Sequence, residues 1–234
     1  MDNKVYQISL LQALVSGYYD GIISVKELKK KGDVAIGTFL GADGELIMFD
    51  NIVYKAKIDG NVVIASDDET IPFSNATKFI KGDKIIVSCN NIAELKDTLN
   101  NYRNEYQNLF IIIKINGLFK QITVRSLPKQ NKPYKPLDYI VENEQKVYNH
   151  SNIEGTVVGF CSPKFMKDLN TTDYHMHFID SNKKVGGHVL DLSFDKLDIE
   201  ISLKNEFELI LSKDKDYLNR DFNKSNDKIK IVEE

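Results

Sequence analysis

The sequence predicts an α+β fold: two packed, mostly antiparallel, β-rich halves with few helices. Three observations carry the prediction. Short β-prone runs such as Val34-Ala35-Ile36-Gly37-Thr38-Phe39 and Glu45-Leu46-Ile47-Met48-Phe49 recur along the chain, separated by Asp-Gly and Asn-Gly turn signals. Only the stretch from Ile92 to Tyr106 shows a sustained apolar period of three and four residues. Pro128, Pro133 and Pro136 interrupt the chain midway, dividing one unit into approximate halves 1–138 and 139–234.

Taken in order, Ile8, Leu11, Ala13, Leu14 and Val15 predict a short helix with Ser9 near its start and Gly17 at its end. The runs at 34–39 and 45–49 form a hairpin about Ala42-Asp43-Gly44, and Ile52-Val53-Tyr54 and Val62-Val63-Ile64 extend it through Asp59-Gly60. Lys84 to Cys89 is another strand. The amphipathic helix follows, with Asn90 and Asn91 available as caps. Asn108 to Lys114 and Phe119 to Leu127 read as strands turned at Asn116-Gly117, and Leu137 to Val147 as a short helix. Strands at Gly155–Phe160, Tyr174–Ile179, Gly187–Phe194, Ile199–Leu203 and Phe207–Leu211 complete the second half. The charged segment from Lys213 to Glu234 carries little periodic apolar signal.

Hydrophobic residues make up 42% of the chain, ample for a core. A formal net charge of -3 without a dense Lys/Arg stripe argues against a nucleic-acid footprint. No apolar stretch approaches the roughly 18 residues of a bilayer span, and Met1-Asp2-Asn3-Lys4 opens no signal pattern. Cys89 and Cys161 each end an apolar run and read as reduced, core-edge thiols. The expectation is a cytoplasmic protein acting on neither membrane nor nucleic acid.

Chemistry concentrates in Tyr174-His175-Met176-His177-Phe178-Ile179-Asp180 and the following Gly186-Gly187-His188, which hold three of the four histidines. On a strand, His175 and His177 share a face. The turn-rich Asp180-Ser181-Asn182-Lys183-Lys184 returns the chain and brings His188 to them. Three neutral imidazoles with an open fourth position describe a catalytic zinc site. His150 lies in a polar turn and receives no role.

The ordered set Ile36-Gly37-Thr38-Phe39, Asp43-Gly44-Glu45-Leu46, Asn116-Gly117-Leu118-Phe119-Lys120, Val124-Arg125, Lys132-Pro133-Tyr134, Gly155-Thr156-Val157-Val158-Gly159-Phe160 and the histidine hairpin through Val189 resembles the α-acetolactate decarboxylases over nearly the whole chain. Departures at Asn51 and Asp173 touch no ligand or proton-transfer position. The resemblance implies conversion of (S)-2-acetolactate to (R)-acetoin and CO2, a Zn2+ cofactor on His175, His177 and His188, and a homodimer of two related halves. It implies active-site places for Thr38, Glu45, Arg125 and Glu233.

Taken singly, those residues read differently. Glu45 is then a solvated hairpin residue, Arg125 half of a surface ion pair, Thr38 a β-former, and the tail bearing Glu233 a tolerant terminus. The resemblance makes Glu45 and Glu233 proton-transfer carboxylates, Arg125 a partner of the enediolate formed as CO2 leaves, and Thr38 a wall of the pocket. Tyr174 packs against or orients the first ligand. Two rival readings stand beside this one: another zinc-dependent lyase or hydrolase on the same scaffold, and a non-catalytic module that the histidine hairpin staples. A structural zinc site closes with a fourth protein ligand, often Cys, and neither cysteine has metal-motif spacing.

Overall fold

The computed structural model describes residues 3–167 and 169–222. Its strands are β1 (Lys4–Ile8), β2 (Ile23–Ser24), β3 (Val34–Thr38), β4 (Glu45–Phe49), β5 (Ile52–Ala56), β6 (Val62–Ile64), β7 (Thr70–Ile71), β8 (Phe73–Thr77), β9 (Lys84–Cys89), β10 (Phe110–Ser126), β11 (Lys146–Cys161), β12 (His175–Asp180), β13 (Gly186–Lys204) and β14 (Glu206–Ile210). The helices are α1 (Leu11–Val15), α2 (Val25–Leu28), α3 (Ile92–Arg103), α4 (Leu137–Asn143) and α5 (Lys215–Asn219). The architecture is α+β, as the sequence predicts. Among the described residues no helix is long and apolar enough to cross a membrane.

Two β layers pack together. The first is a seven-stranded sheet in the order β14-β1-β8-β3-β4-β5-β6, antiparallel except for the β1–β14 pair. In the second, β10 pairs with both β11 and β13, while β12 joins β11 to β13. Those four strands close a ring, and β9 extends it beyond β13.

Residue alternation explains the layering. Val34 and Ile36 on β3, and Ile47 and Phe49 on β4, belong to one apolar cluster with Ile112, Val158, Phe160 and Ile179 of the ring. The intervening Ala35, Leu46 and Met48 join Val25 and Leu28 of α2 on the opposite face. Inside the ring, Ile113, Phe119, Val124, Phe178 and Phe194 pack with Leu95 and Leu99 of α3. Each such fully buried side chain contributes about 1.5–3 kcal/mol relative to exposure. α3 begins as expected, its Asn91 side chain accepting the Glu94 N–H at 2.9 Å.

Several local expectations need correction. Asn116-Gly117 is no turn, because β10 runs unbroken through it with Gly117 opposite Gly155. Gly117 has φ +154°, and a Cβ there would lie 2.4 Å from Leu197 Cδ2. The glycine bends one long strand around the ring instead of reversing it. β13 is likewise continuous where two strands are predicted, with a register shift between Phe194 and Leu197. The helix expected through Val147 ends at Asn143, and Lys146 already opens β11. Ser9 lies near the start of α1, as expected, but Leu10 takes the N-cap position without a side-chain bond, and Ser9 (φ +64°) donates its N–H to Ile210 O. β1 and β8, central to the first sheet, have no counterpart in the sequence reading: Phe73-Ser74-Asn75-Ala76-Thr77 is too polar to signal a buried strand. The proline-rich segment near Tyr139 does not separate the β layers, since β10 and β11 on either side of it are neighbours in the ring. The first sheet gives way to the ring between β8 and β9, and β14 then returns to the first sheet.

Candidate metal centre and active site

The strand β12 presents alternate residues to opposite sides. Met176 and Phe178 enter the ring interior, while Ile179 packs between the layers. His175 and His177 share the Ile179 side. Across the β12–β13 pair, His177 stands opposite His188. The ligand atoms of the three histidines lie within 4.8 Å of one another, with His175 Nε2 and His177 Nε2 3.0 Å apart. The approach depends on Gly187, whose φ is +154° and at which a Cβ would lie 2.4 Å from Arg125 O. Only glycine lets β13 come this close to β10 at the residue preceding His188.

All three imidazoles are buried. Burial is the main cause that pushes His175 down to about 3 and His177 and His188 well below the ordinary histidine range. The Arg125 guanidinium acts in the same direction on each. The rings are therefore neutral at pH 7. His177 Nδ1–H donates to Leu46 O at 2.8 Å, which fixes the tautomer and leaves the Nε2 lone pair facing the cluster. Three neutral imidazoles, one of them locked by a carbonyl of the opposite layer, are a donor set that could hold a metal ion.

The opposite wall comes from the β3–β4 hairpin. Thr38 and Glu45 are register partners and continue the inward-facing rows of Val34, Ile36, Ile47 and Phe49. Glu45 is 6% exposed, so the solvated reading of this residue is corrected, and its Oε2 lies 3.6 Å from His177 Nε2. The Thr38 hydroxyl donates to Gly44 O at 2.7 Å, tying down the turn just before Glu45. Arg125 is 4% exposed and stands beside His188 in the β10–β13 pair, which excludes a surface ion pair. Val124 faces the ring core, and the alternation turns Arg125 to the other side. Thr38, Glu45, Arg125, His175 and His188 line one pocket, closed on its apolar side by Leu14, Phe73, Leu127 and Leu137.

Thus the described site residues predicted from the sequence converge. Glu233 lies outside the described residues. His150 sits on β11 beside Tyr148, opposite Ile122, and takes no part in the histidine cluster. Both cysteines are free and buried, and neither belongs to the cluster. Tyr174 donates its hydroxyl to Leu99 O at 3.0 Å and so ties the start of β12 to α3. Sequence reasoning missed the Leu46 carbonyl, which has no side-chain signal, and the apolar wall supplied by α1 and Phe73. Asp180 is legible as part of the return turn, but its carboxylate's hold on the Asn182, Lys184 and Val185 N–H groups is not.

Comparison with known proteins places this geometry. The sequence model of a family described as alpha-acetolactate decarboxylase matches residues 5–224. A protein of that name from Methanosarcina mazei is 39% identical over 217 residues, covering 92% of this chain and 74% of the relative. One from Bacillus subtilis is 35% identical over 217 residues, covering 93% and 85%. The crystal structure of alpha-acetolactate decarboxylase from Bacillus subtilis superposes with a TM-score of 0.93 at 33% identity, over 98% of this chain and 99% of that one. A Staphylococcus aureus protein described as similar to alpha-acetolactate decarboxylase gives 0.92 at 28% identity, over 99% and 100%.

Proposed function

The chain belongs to the α-acetolactate decarboxylase family, and from that premise we propose that it converts (S)-2-acetolactate to (R)-acetoin and CO2 in the pocket between its two β layers. The observation that carries the proposal is a cluster of three buried neutral imidazoles beside Glu45, two of which, His175 and His188, line one partly apolar pocket with Glu45 and Arg125. We assign zinc to His175, His177 and His188, because three imidazoles with a remaining open position match its catalytic coordination. Bound there, zinc supplies a Lewis acid that stabilises negative charge on the substrate's ketone oxygen as CO2 departs.

The chain's own groups do the rest. Glu45, beside His177, is the carboxylate that exchanges a proton with the substrate's tertiary hydroxyl. Arg125 directs its planar donors to the enediolate, since gripping the departing carboxylate would stabilise the ground state and slow the step. Thr38 keeps the Glu45 turn in place and walls the pocket. Leu14, Phe73, Leu127 and Leu137 exclude water and receive the substrate's methyl groups. Glu233 is the second proton-transfer carboxylate. What supports it is the family resemblance. Glu233→Gln should lower turnover about tenfold or more, while Glu234→Gln changes little.

The whole chain acts as one catalytic unit in this reading, because each β layer supplies part of the pocket. The free buried cysteines are consistent with a reducing, cytoplasmic setting. The family resemblance supports a homodimer, which sedimentation equilibrium tests. The decisive assay incubates zinc-loaded protein with racemic acetolactate and follows CO2 and the chirality of acetoin. Release of (R)-acetoin from half of the racemate supports the proposal, and zinc-loaded protein that makes no acetoin refutes it.

A further inference from the structure

We propose that Asp180 is a positioning residue for the metal ligands: its carboxylate sets the β12–β13 register that places His188 opposite His177. The inference rests on the metal-binding reading of the three histidines and not on the identity of the substrate.

The β12–β13 pairing is short. It consists of His177 with His188, Phe178 with Gly187, and Ile179 with Gly186. Two of the three partners on β13 are glycines, so side-chain packing holds the register weakly on that strand. A slip of one residue would turn His188 to the opposite face of the strand and remove a ligand. The element that prevents the slip lies just beyond the last pair. Asp180 is 4% exposed. Its Oδ1 accepts the N–H groups of Lys184 at 2.6 Å and Val185 at 2.7 Å, and its Oδ2 accepts that of Asn182 at 3.0 Å. Its own N–H donates to Val185 O at 2.9 Å, and its carbonyl accepts from Lys183 N at 3.1 Å. One residue therefore takes every backbone contact given for this five-residue return except that of Ser181 N–H, which goes to Glu154 O. Hydrogen bonds to an ionised carboxylate are about twice as strong as neutral ones. They also hold Lys183 at φ +59°, a conformation that a side chain disfavours. Asp180 stands beside Gly155 on β11 and does not line the pocket, so it reaches the metal only through His188.

The test compares zinc-free wild type, Asp180→Ala and Asp180→Asn. Zinc affinity is read by competition with a chromogenic chelator, and thermal unfolding of each zinc-free protein is measured beside it. We expect Asp180→Ala to bind zinc about tenfold or more weakly, the range for lost orienting partners of metal ligands. Asp180→Asn, which keeps one acceptor oxygen and loses the other, falls between. A purely structural role lowers the unfolding temperature of the zinc-free protein and leaves the affinity of the folded protein unchanged, and that result overturns the proposal. If Asp180→Ala does not fold, Asp180→Asn decides alone: wild-type affinity overturns the proposal, and weakened affinity supports it. Wild-type protein that binds no zinc overturns the metal reading itself, a result distinct from equal binding by all three proteins.

Discussion

Two hairpins face each other across the pocket and present polar groups in different ways. In β12–β13 the three histidines are close in sequence, and the hairpin is adapted to them: two glycines, a capping aspartate and a locked tautomer. In β3–β4 the two polar residues are the end of an ordinary packing face, one step beyond Ile36 and Ile47. The first hairpin is specialised throughout. The second is a core hairpin whose inward rows change from apolar to polar at the rim. The alternation that packs a sandwich can therefore also aim an active site, needing only polar residues at the last inward positions.

That contrast is open to attack. The largest effect is expected for His177→Ala, which removes the central histidine of the specialised hairpin. Zinc content and acetoin production should both fall below detection, and full zinc occupancy by metal analysis would break the comparison at its root. Next, Glu45→Gln should reduce kcat by about 10²–10⁴-fold with zinc retained. Were zinc lost as well, the β3–β4 hairpin would belong to the metal site and the two hairpins would not be distinct in role. Arg125→Lys should lower kcat more than it raises KM, because a point charge does not reproduce the planar fork. A rise in KM at constant kcat would assign Arg125 to substrate binding. The smallest effect concerns the zinc-free protein. Its neutral buried histidines have folded values below the unfolded value near 6.5, so below that pH the unfolded chain binds more protons. Stability is then complete above about pH 6.5 and declines as pH falls towards about 3, where His175 titrates. Urea titrations at pH 7.5 and pH 5 check this, and a His175→Gln protein should show a shallower decline.

The same contrast explains what the sequence disclosed. The histidine hairpin was legible because its chemistry is compact: a His-x-His on a β-prone run, a turn and a third histidine. Most strand positions were legible because β-branched runs and turn signals are local. Glu45 and Arg125 were not legible as buried residues, since their burial depends on a partner layer far away in sequence; the family pattern alone pointed to them. The Asn116-Gly117 reading failed for a related reason. An Asn-Gly pair normally closes a tight turn, but here β11 pairs with β10 straight through it, Asn116 with Thr156 and Gly117 with Gly155, and the glycine serves the bend. Phe73–Thr77 escaped notice because Ser74, Asn75 and Thr77 are buried with hydrogen-bond partners of their own.

The parallel pairing of β1 with β14 gives chain synthesis a direction. Lys4 finds its β14 neighbour only when Glu206, about 200 residues later in the chain, has emerged. Until then the edge of β1 has unpaired backbone groups, the kind of edge that recruits a strand from another molecule. Strand β14 thus closes the edge that β1 leaves open. A chain stopped after Lys204 should leave β1 open and sediment as aggregate, whereas the chain that includes β14 should not.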